Sequence, residues 1–451
     1  MRNMYQHRQL LSRTRLLLVA LLAVTLVSAN FERESRAARI ARTQLSLDIP
    51  TLDGTFDLVT TAIGDQGDAH LDCSLASYTT DETGGLQIKY HDFNTKLDHP
   101  VPANGVATLS DVSAGRIAFT ETSTSGSYVV VFDTSTQTSK PIADVSAGKE
   151  SNPSIGGDLV AFEDRTYSTN PNLSEIALNE LGTAYYARLT SDSMFDKNPE
   201  VSPDGNVIVW EKCQPTGLGC DIYSSIKQGQ GLYLTQPLAG AGEDRGPVTN
   251  GKIVAYISDK SGENDIYFQP VGGGTEVPVP IPGDQRNLAI SGDLIAFESQ
   301  VTVDGETEYD ILVYDVHTAK LYQVTNTAVD DVLNDISTCN GAGRIVYSAP
   351  QSGYDVISFT FQIPSSPADD INALVQLLQS FRLPKGIESR LLPKLQDALK
   401  AVQDGDTASA CSSLTSFIST YQALPGKKLT ATQLSQLTSA TDKIKSEIGC
   451  Q

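Results

Sequence analysis

Through most of the chain, apolar and polar residues alternate in short runs, each closed by a turn and followed by another run of the same kind. A period of two puts one face of a strand in a core and the other in water. Aligned on the single tryptophan, Trp210, the runs show one pattern seven times: a turn, a short β-branched stretch, then an aromatic. The copies are LDCSLASY (71–78), VSAGRIAF (112–119), SIGGDLVAF (154–162), SPDGNVIVW (202–210), VTNGKIVAY (248–256), ISGDLIAF (290–297) and CNGAGRIVY (339–347). Their aromatics, Tyr78, Phe119, Phe162, Trp210, Tyr256, Phe297 and Tyr347, lie 41 to 50 residues apart.

Two further elements complete the repeat. YVVVFD (128–133), DIYSS (221–225), DIYFQP (265–270) and DILVYDV (310–316) alternate as half-buried strands, and ARLTSD (187–192), LYLTQP (232–237) and LYQVTN (321–326) lead into the next copy. A unit of this length and pattern predicts a β-propeller, in which each small sheet buries its faces only against its neighbours. The seventh copy runs on through DVISFTFQIP (355–364) and stops without its last strand, while FDLVTTAIGDQ (56–66) stands alone before the first. If that lone strand completes the last blade, the ring closes at seven. The Asp and Gly of SPDG suit a turn that needs a side chain bonding its own backbone and a residue at positive φ. GDQ recurs at 64–66 and 283–285, just before copies one and six, and reads as a repeat turn.

After PSSP (364–367) the period becomes helical. Leu374, Leu377, Leu378 and Phe381 share one face; Leu392, Leu395, Leu399 and Val402 a second; Leu414, Phe417, Ile418 and Tyr421 a third; Leu434, Leu437, Ile444 and Ile448 a fourth. Thr430 with Gln433 is a capping-box start for the last helix, and Pro393 predicts that the second helix begins or kinks there. The expected fold is an all-β propeller of about seven four-stranded blades plus a small C-terminal α-helical bundle.

From residue 56 to about 363, the SPDG-type turns and strand pattern resemble the propeller repeats of the TolB-like family, related in shape to WD40 propellers but without their Gly-His and Trp-Asp pairs. The periplasmic protein that names that family carries an α/β domain ahead of its propeller, for which this chain has no room. The C-terminal segment resembles the FIMAH domain of exported bacterial proteins through LPKGIESRLLPKL (383–395), ACSSLTSFI (410–418), GKKLTATQ (426–433) and KIKSEIGC (443–450). That resemblance implies an appended module on secreted or surface proteins, with no established chemistry. The expected order is a signal peptide (1–29), a leader (30–55), the propeller (56–363), a linker (364–369) and the bundle (370–451).

The N-terminus fits export. Arg2, Arg8, Arg13 and Arg15 precede an apolar run from Leu16 to Val27, and VSA (27–29) offers small residues for cleavage. The alternative, an uncleaved anchor, needs a run of ~20 residues, longer than this one; no later segment could span a bilayer. Six cysteines in an exported protein read as disulfides. Cys213 and Cys220 would close a hairpin loop, Cys411 and Cys450 would tie the third helix to the C-terminus, and Cys73 and Cys339 fall in corresponding turns of blades that become adjacent on closure. A net charge of -21 argues against nucleic acid or anionic lipid as partner.

Chemistry is harder to find. There is no Gly-x-Ser-x-Gly and no space for an α/β-hydrolase domain, which rules out a propeller-peptidase architecture at this level. His-Glu-x-x-His is absent, and His70, His91, His99 and His317 are scattered among repeat strands and loops, His91 reading as a strand residue. DGETEYD (304–310) and SGEND (261–265) space carboxylates as calcium loops do, yet neither has a full ligand set, and both read as solvated hairpins. SPDG lacks the spacing of a sialidase Asp-box, and a glycosidase pair cannot be picked out of 54 acidic residues. No catalytic residue, metal or cofactor is assigned. The resulting expectation is a non-enzymatic secreted or cell-surface binding or scaffold protein whose propeller face holds a protein, a peptide or an envelope glycan. The alternatives are a polysaccharide hydrolase or lyase with carboxylates at the channel, and a structural module of a surface assembly. Carboxylates converging on the channel with raised pKa values would favour an enzyme; an apolar or tyrosine-rich rim would favour binding.

Overall fold

The computed structural model describes residues 49–450, apart from 61–63, 83, 143–147, 167–169, 171–172, 184, 239, 304–305, 351–353 and 425–427. The expected signal peptide and most of the leader lie outside the described residues. The chain divides into two compact units, Met1–Gln362 and Ile363–Gln451.

In the first unit 28 strands form seven antiparallel four-stranded sheets, the blades of a propeller. The innermost strands of blades 1 to 7 are Gln66–Asp72, Val106–Ser113, Glu150–Gly156, Phe195–Val201, Asp244–Thr249, Gln285–Ser291 and Val332–Cys339. Each second strand carries one copy of the repeat and its aromatic. Those aromatics form the core: six are 0% exposed and Tyr347 is 5% exposed. Trp210 is satisfied there as well as buried, because its indole N–H donates to Asp196 Oδ1 at 2.9 Å. The SPDG turn behind it closes on itself, with Ser202 Oγ donating to Asp204 Oδ1 (2.6 Å) and accepting from Val207 N–H (2.9 Å). Gly205 has φ +71°, and a Cβ on it would stand 2.7 Å from the Gly156 carbonyl oxygen of the preceding blade, so only glycine fits.

The ring closes as the repeat count requires. Gly54–Leu58 pairs antiparallel with Tyr354–Gln362, Phe56 opposite Phe359, and supplies the outer strand of blade 7. The lone run read over 56–66 is therefore two elements, since Gln66 already opens blade 1. Cys73–Cys339 bridges blades 7 and 1, 266 residues apart in sequence; Cys213–Cys220 and Cys411–Cys450 also form.

A second interlock was not visible in the repeat alignment. Every innermost strand breaks register against its neighbour with a bulge, and in six blades a bulge residue lies at positive φ: Asp68, Leu109, Asn152, Asn198, Gly246 and Asn287. A bulge frees an N–H from the ladder. The residue after the repeat aromatic, one blade earlier, takes it. Thr120 Oγ1 accepts from Asn152 N–H (3.0 Å), Glu163 from Asn198 (3.2 Å), Glu211 from Gly246 (2.8 Å) and Glu298 from Leu333 (2.8 Å). Each of the three glutamates also pairs with a cation: Arg165 at 2.7 Å, Lys197 at 2.6 Å and Arg286 at 2.5 Å.

The second unit is four helices, α1 (Pro367–Ser380), α2 (Lys385–Gln403), α3 (Thr407–Gln422) and α4 (Ala431–Glu447). Capping boxes start α1 (Ser366 with Asp369) and α4 (Thr430 with Gln433). Their core holds Ile371, Leu374 and Leu378 of α1 and Leu414, Phe417 and Tyr421 of α3. In α2 the buried face is Leu391, Leu395 and Ala398, so Leu392 lies off the seam by one position. That helix continues across Pro393 rather than beginning there.

Candidate functional site

The innermost strands line the centre of the ring. After the bulge, each pairs one residue with the position that precedes the repeat aromatic: His70, Asp111, Ser154, Glu200, Val248, Ala289 and Asp335, from blades 1 to 7. Five of the seven are polar and they meet. His70 Nδ1 lies 3.7 Å from Asp111 Oδ1 and 4.0 Å from Asp335 Oδ2, while Nε2 lies 3.9 Å from Asp68 Oδ1. Ser154 Oγ is 2.9 Å from Asp111 Oδ2 and 3.3 Å from Glu200 Oε2.

Part of this belt is structural. Asp111 accepts the N–H of Ile155 (2.7 Å), Asp335 that of Leu71 (2.7 Å), and Ser154 Oγ that of Val201 (3.0 Å), each bond crossing to the next blade. The side chains still reach water: His70 and Asp111 are each 15% exposed and Asp335 20%.

Burial raises two of the carboxyls. Burial raises Glu200 well above the usual glutamate range, reinforced by the Asp111 charge and opposed by His70. Burial pushes Asp335 up to about 6 against the pull of His70 and the Leu71 N–H. Burial alone would lower His70; the Asp68 carboxylate facing its ring N–H and the charges of Asp111 and Asp335 reverse that and raise it to about 10. Ser154 Oγ, which accepts from Val201 N–H, stands between the Asp111 and Glu200 carboxyls. A carboxyl whose acid form is favoured by burial, beside a serine hydroxyl and an imidazole, is a group that can serve in acid–base chemistry.

The other candidates have structural roles. His91 Nδ1 bonds Asp98 at 2.8 Å and His99 stacks on Tyr90, ring centroids 4.9 Å apart. Glu306–Asp315 is a strand, and its described carboxylates Glu308 and Asp310 alternate along a sheet; residues 304–305 lie outside the described residues. In SGEND, Ser261 bonds Asp265 within its own turn. Glu175, Asp192 and Asp196 cluster closely, but Lys212 Nζ stands among them, 2.5 Å from Asp192 and 3.3 Å from Asp196. Cys213 and Cys220, near Glu211, are used by their disulfide.

Sequence reasoning missed the belt because its members come from separate blades. A signal was present: His70, Asp111, Ser154, Val248 and Ala289 each stand eight residues before their repeat aromatic. Glu200 and Asp335 precede longer turns and fall out of that frame.

No family model and no curated protein matches the chain. Solved structures do. The puromycin-hydrolysing peptidase of Mycobacterium tuberculosis is 13% identical, with a TM-score of 0.51 over 69% of this chain and 53% of its own. A puromycin hydrolase is 14% identical, with TM-score 0.51 over 69% and 54%. The β-propeller domain of the trilobed protease from Pyrococcus furiosus is 10% identical, with TM-score 0.50 over 67% of this chain and 98% of that domain. It is described as having an open velcro topology, whereas here Gly54–Leu58 closes the last blade. The chain spans about half the length of the two peptidases. At these identities the likeness establishes the fold, a seven-bladed propeller of the kind that peptidases carry. The expectation of a non-enzymatic binding or scaffold protein is corrected here. The propellers similar to this one belong to peptidases, and the feature set down as favouring an enzyme, carboxyls with raised pKa values converging on the channel, is present.

Proposed function

We propose that this protein acts in peptide hydrolysis, as a peptidase-type propeller whose channel receives a peptide and holds its positively charged end on Asp111 and Asp335, beside Glu200. The observation that carries this reading is the convergence of these acids with His70 and Ser154 at the centre of the ring. It is supported by the likeness of the propeller to those of peptidases. A free amino terminus or a basic side chain is the peptide group that an acidic channel favours. The same proposal includes the finer assignments, TolB-like repeats and a FIMAH-like bundle on an exported chain. Three disulfides fit an oxidising compartment, and no helix among the described residues is long and apolar enough to cross a membrane.

The test is digestion of a synthetic peptide library by the full-length chain, read by mass spectrometry from mildly acidic to neutral pH. Cleavage that is lost in Asp111→Asn and Glu200→Gln supports the reading. A library left intact across that range would overturn it.

A further inference from the structure

One small arrangement recurs at five blade interfaces. The residue at the start of an innermost strand gives its backbone N–H to a carbonyl of the preceding blade, just before its third strand in four cases and within it in the fifth: Ala107 to Leu86, Asp196 to Ser174, Asp244 to Cys220, Gln285 to Asn264 and Asp331 to Tyr309. Each bond sets that residue beside the one that follows the carbonyl. Between blades 5 and 6 the pair is Gln285 with Asp265. The Gln285 amide donates to Asp265 Oδ1 (3.3 Å) and to the Ile281 carbonyl (3.0 Å), and its oxygen accepts from Ile266 N–H (2.9 Å). The position therefore needs a donor as well as an acceptor. Between blades 3 and 4 the acids Glu175 and Asp196 have Lys212 beside them.

Between blades 6 and 7 the pair is Asp310 and Asp331, 0% and 1% exposed. Only neutral donors reach it. Thr325 Oγ1 lies 3.3 Å and Thr327 N–H 3.1 Å from Asp310 Oδ1, and Thr327 Oγ1 lies 3.1 Å from Asp331 Oδ2. Asp310 Oδ2 is buried with no partner. The other charged or titratable groups facing the pair are Glu308 on the same strand, Asp330 and Tyr347. Arg286, on the innermost strand of blade 6, is taken up by Glu298 at 2.5 Å and Asp330 at 3.2 Å. Two ionised carboxylates buried together without a cation repel and lose solvation. A proton on one of them restores the donor that Gln285 supplies one interface earlier.

We propose that Asp310 and Asp331 form a proton-operated latch between blades 6 and 7: with one proton on the pair the interface is closed, and with both ionised it loosens. Blade 7 closes the ring and is bridged to blade 1 by Cys73–Cys339, so the side facing blade 6 is the one free to part. This stands apart from the peptidase reading and does not depend on it. Burial pushes Asp310 up to about 6 and raises Asp331 as well. An unfolded aspartate releases its proton near pH ~4. Between those values the closed interface binds a proton that the open one does not, so its stability falls as pH rises and stays low above the upper value.

Amide hydrogen exchange on the full-length chain tests the latch, at pH about 5 and about 7.5 with intrinsic rates corrected. A rise from 3.8 to about 6 is roughly two units, which caps the change at about a hundredfold. Between these two pH values, which cover the upper half of that window, protection around 309–311 and 327–333 should fall roughly tenfold, while the Gln285 amide changes far less. Asp331→Asn, which copies the amide of blade 6, should remove the dependence, and Asp310→Asn serves if that variant does not fold. Gln285→Asp should create the dependence between blades 5 and 6. Equal protection at both pH values in the wild type, or an unchanged dependence in the asparagine variants, overturns the proposal.

Discussion

Removing the Cys73–Cys339 bridge with Cys73→Ser/Cys339→Ser tests whether ring closure is held covalently. The bridge spans 266 residues. In the chain-entropy description a loop of that size lowers the unfolded state's freedom by about 5 to 6 kcal/mol, against about 2 for a loop the size of Cys213–Cys220, whose cysteines are 7 apart. The full value is not expected. Gly54–Leu58 closes the same ring by hydrogen bonds, and the junction keeps Arg344 Nη1 on the Cys73 carbonyl (3.0 Å) and Cys73 N–H on Ser337 Oγ (3.1 Å). A loss of about 3 to 5 kcal/mol remains, roughly a 10 °C fall in Tm for a unit of this size. Thermal unfolding followed by near-UV circular dichroism measures it, with Cys213→Ser/Cys220→Ser alongside. If the ring bridge costs no more than the hairpin bridge, closure rests on the strand pairing and the reasoning fails.

Two further outcomes follow from the packing. Glu298→Ala removes the buried acceptor of the Asn287 amide (2.6 Å) and the Leu333 N–H (2.8 Å) and one of the two carboxylates on Arg286, so it should cost about 2 to 4 kcal/mol in urea unfolding; a cost under about 1 kcal/mol would show that the glutamate does not join blades 6 and 7. His70 is raised above its unfolded value of ~6.5, so its ion pairs contribute in full below that pH and are lost as pH rises through about 10. Urea midpoints should decline from pH about 7 to 10 in the wild type, and His70→Gln should start lower and lack that part of the decline. Parallel slopes would contradict the pairing.

The fold was legible because propeller blades repeat. Seven buried aromatics at nearly constant spacing mark the second strands, and a last repeat short of one strand predicts closure by the N-terminal strand, which Phe56 opposite Phe359 bears out. Local pairs were legible for the same reason: Thr430 and Gln433 are close in sequence and meet in space. What did not show was anything whose sense depends on the next blade. Glu163, Glu211 and Glu298 each follow an aromatic, yet a glutamate at a strand position reads as solvated until the neighbouring bulge supplies an N–H. His70 looked like one of four scattered histidines, and only the ring brings it beside Asp111 and Asp335. The Leu391/Leu392 ambiguity is of another kind, since on a helix adjacent leucines both fit the period and packing alone chooses.

The central claim is that the belt receives the charged end of a peptide that is then cleaved. The most direct measurement is the turnover of matched peptide amides with free and acetylated amino termini by the full-length chain, wild type against Asp111→Asn/Glu200→Gln. Faster cleavage of the free amine, with that preference abolished in the double variant, is the predicted result. Failure of the wild-type protein to turn over either peptide would contradict the claim.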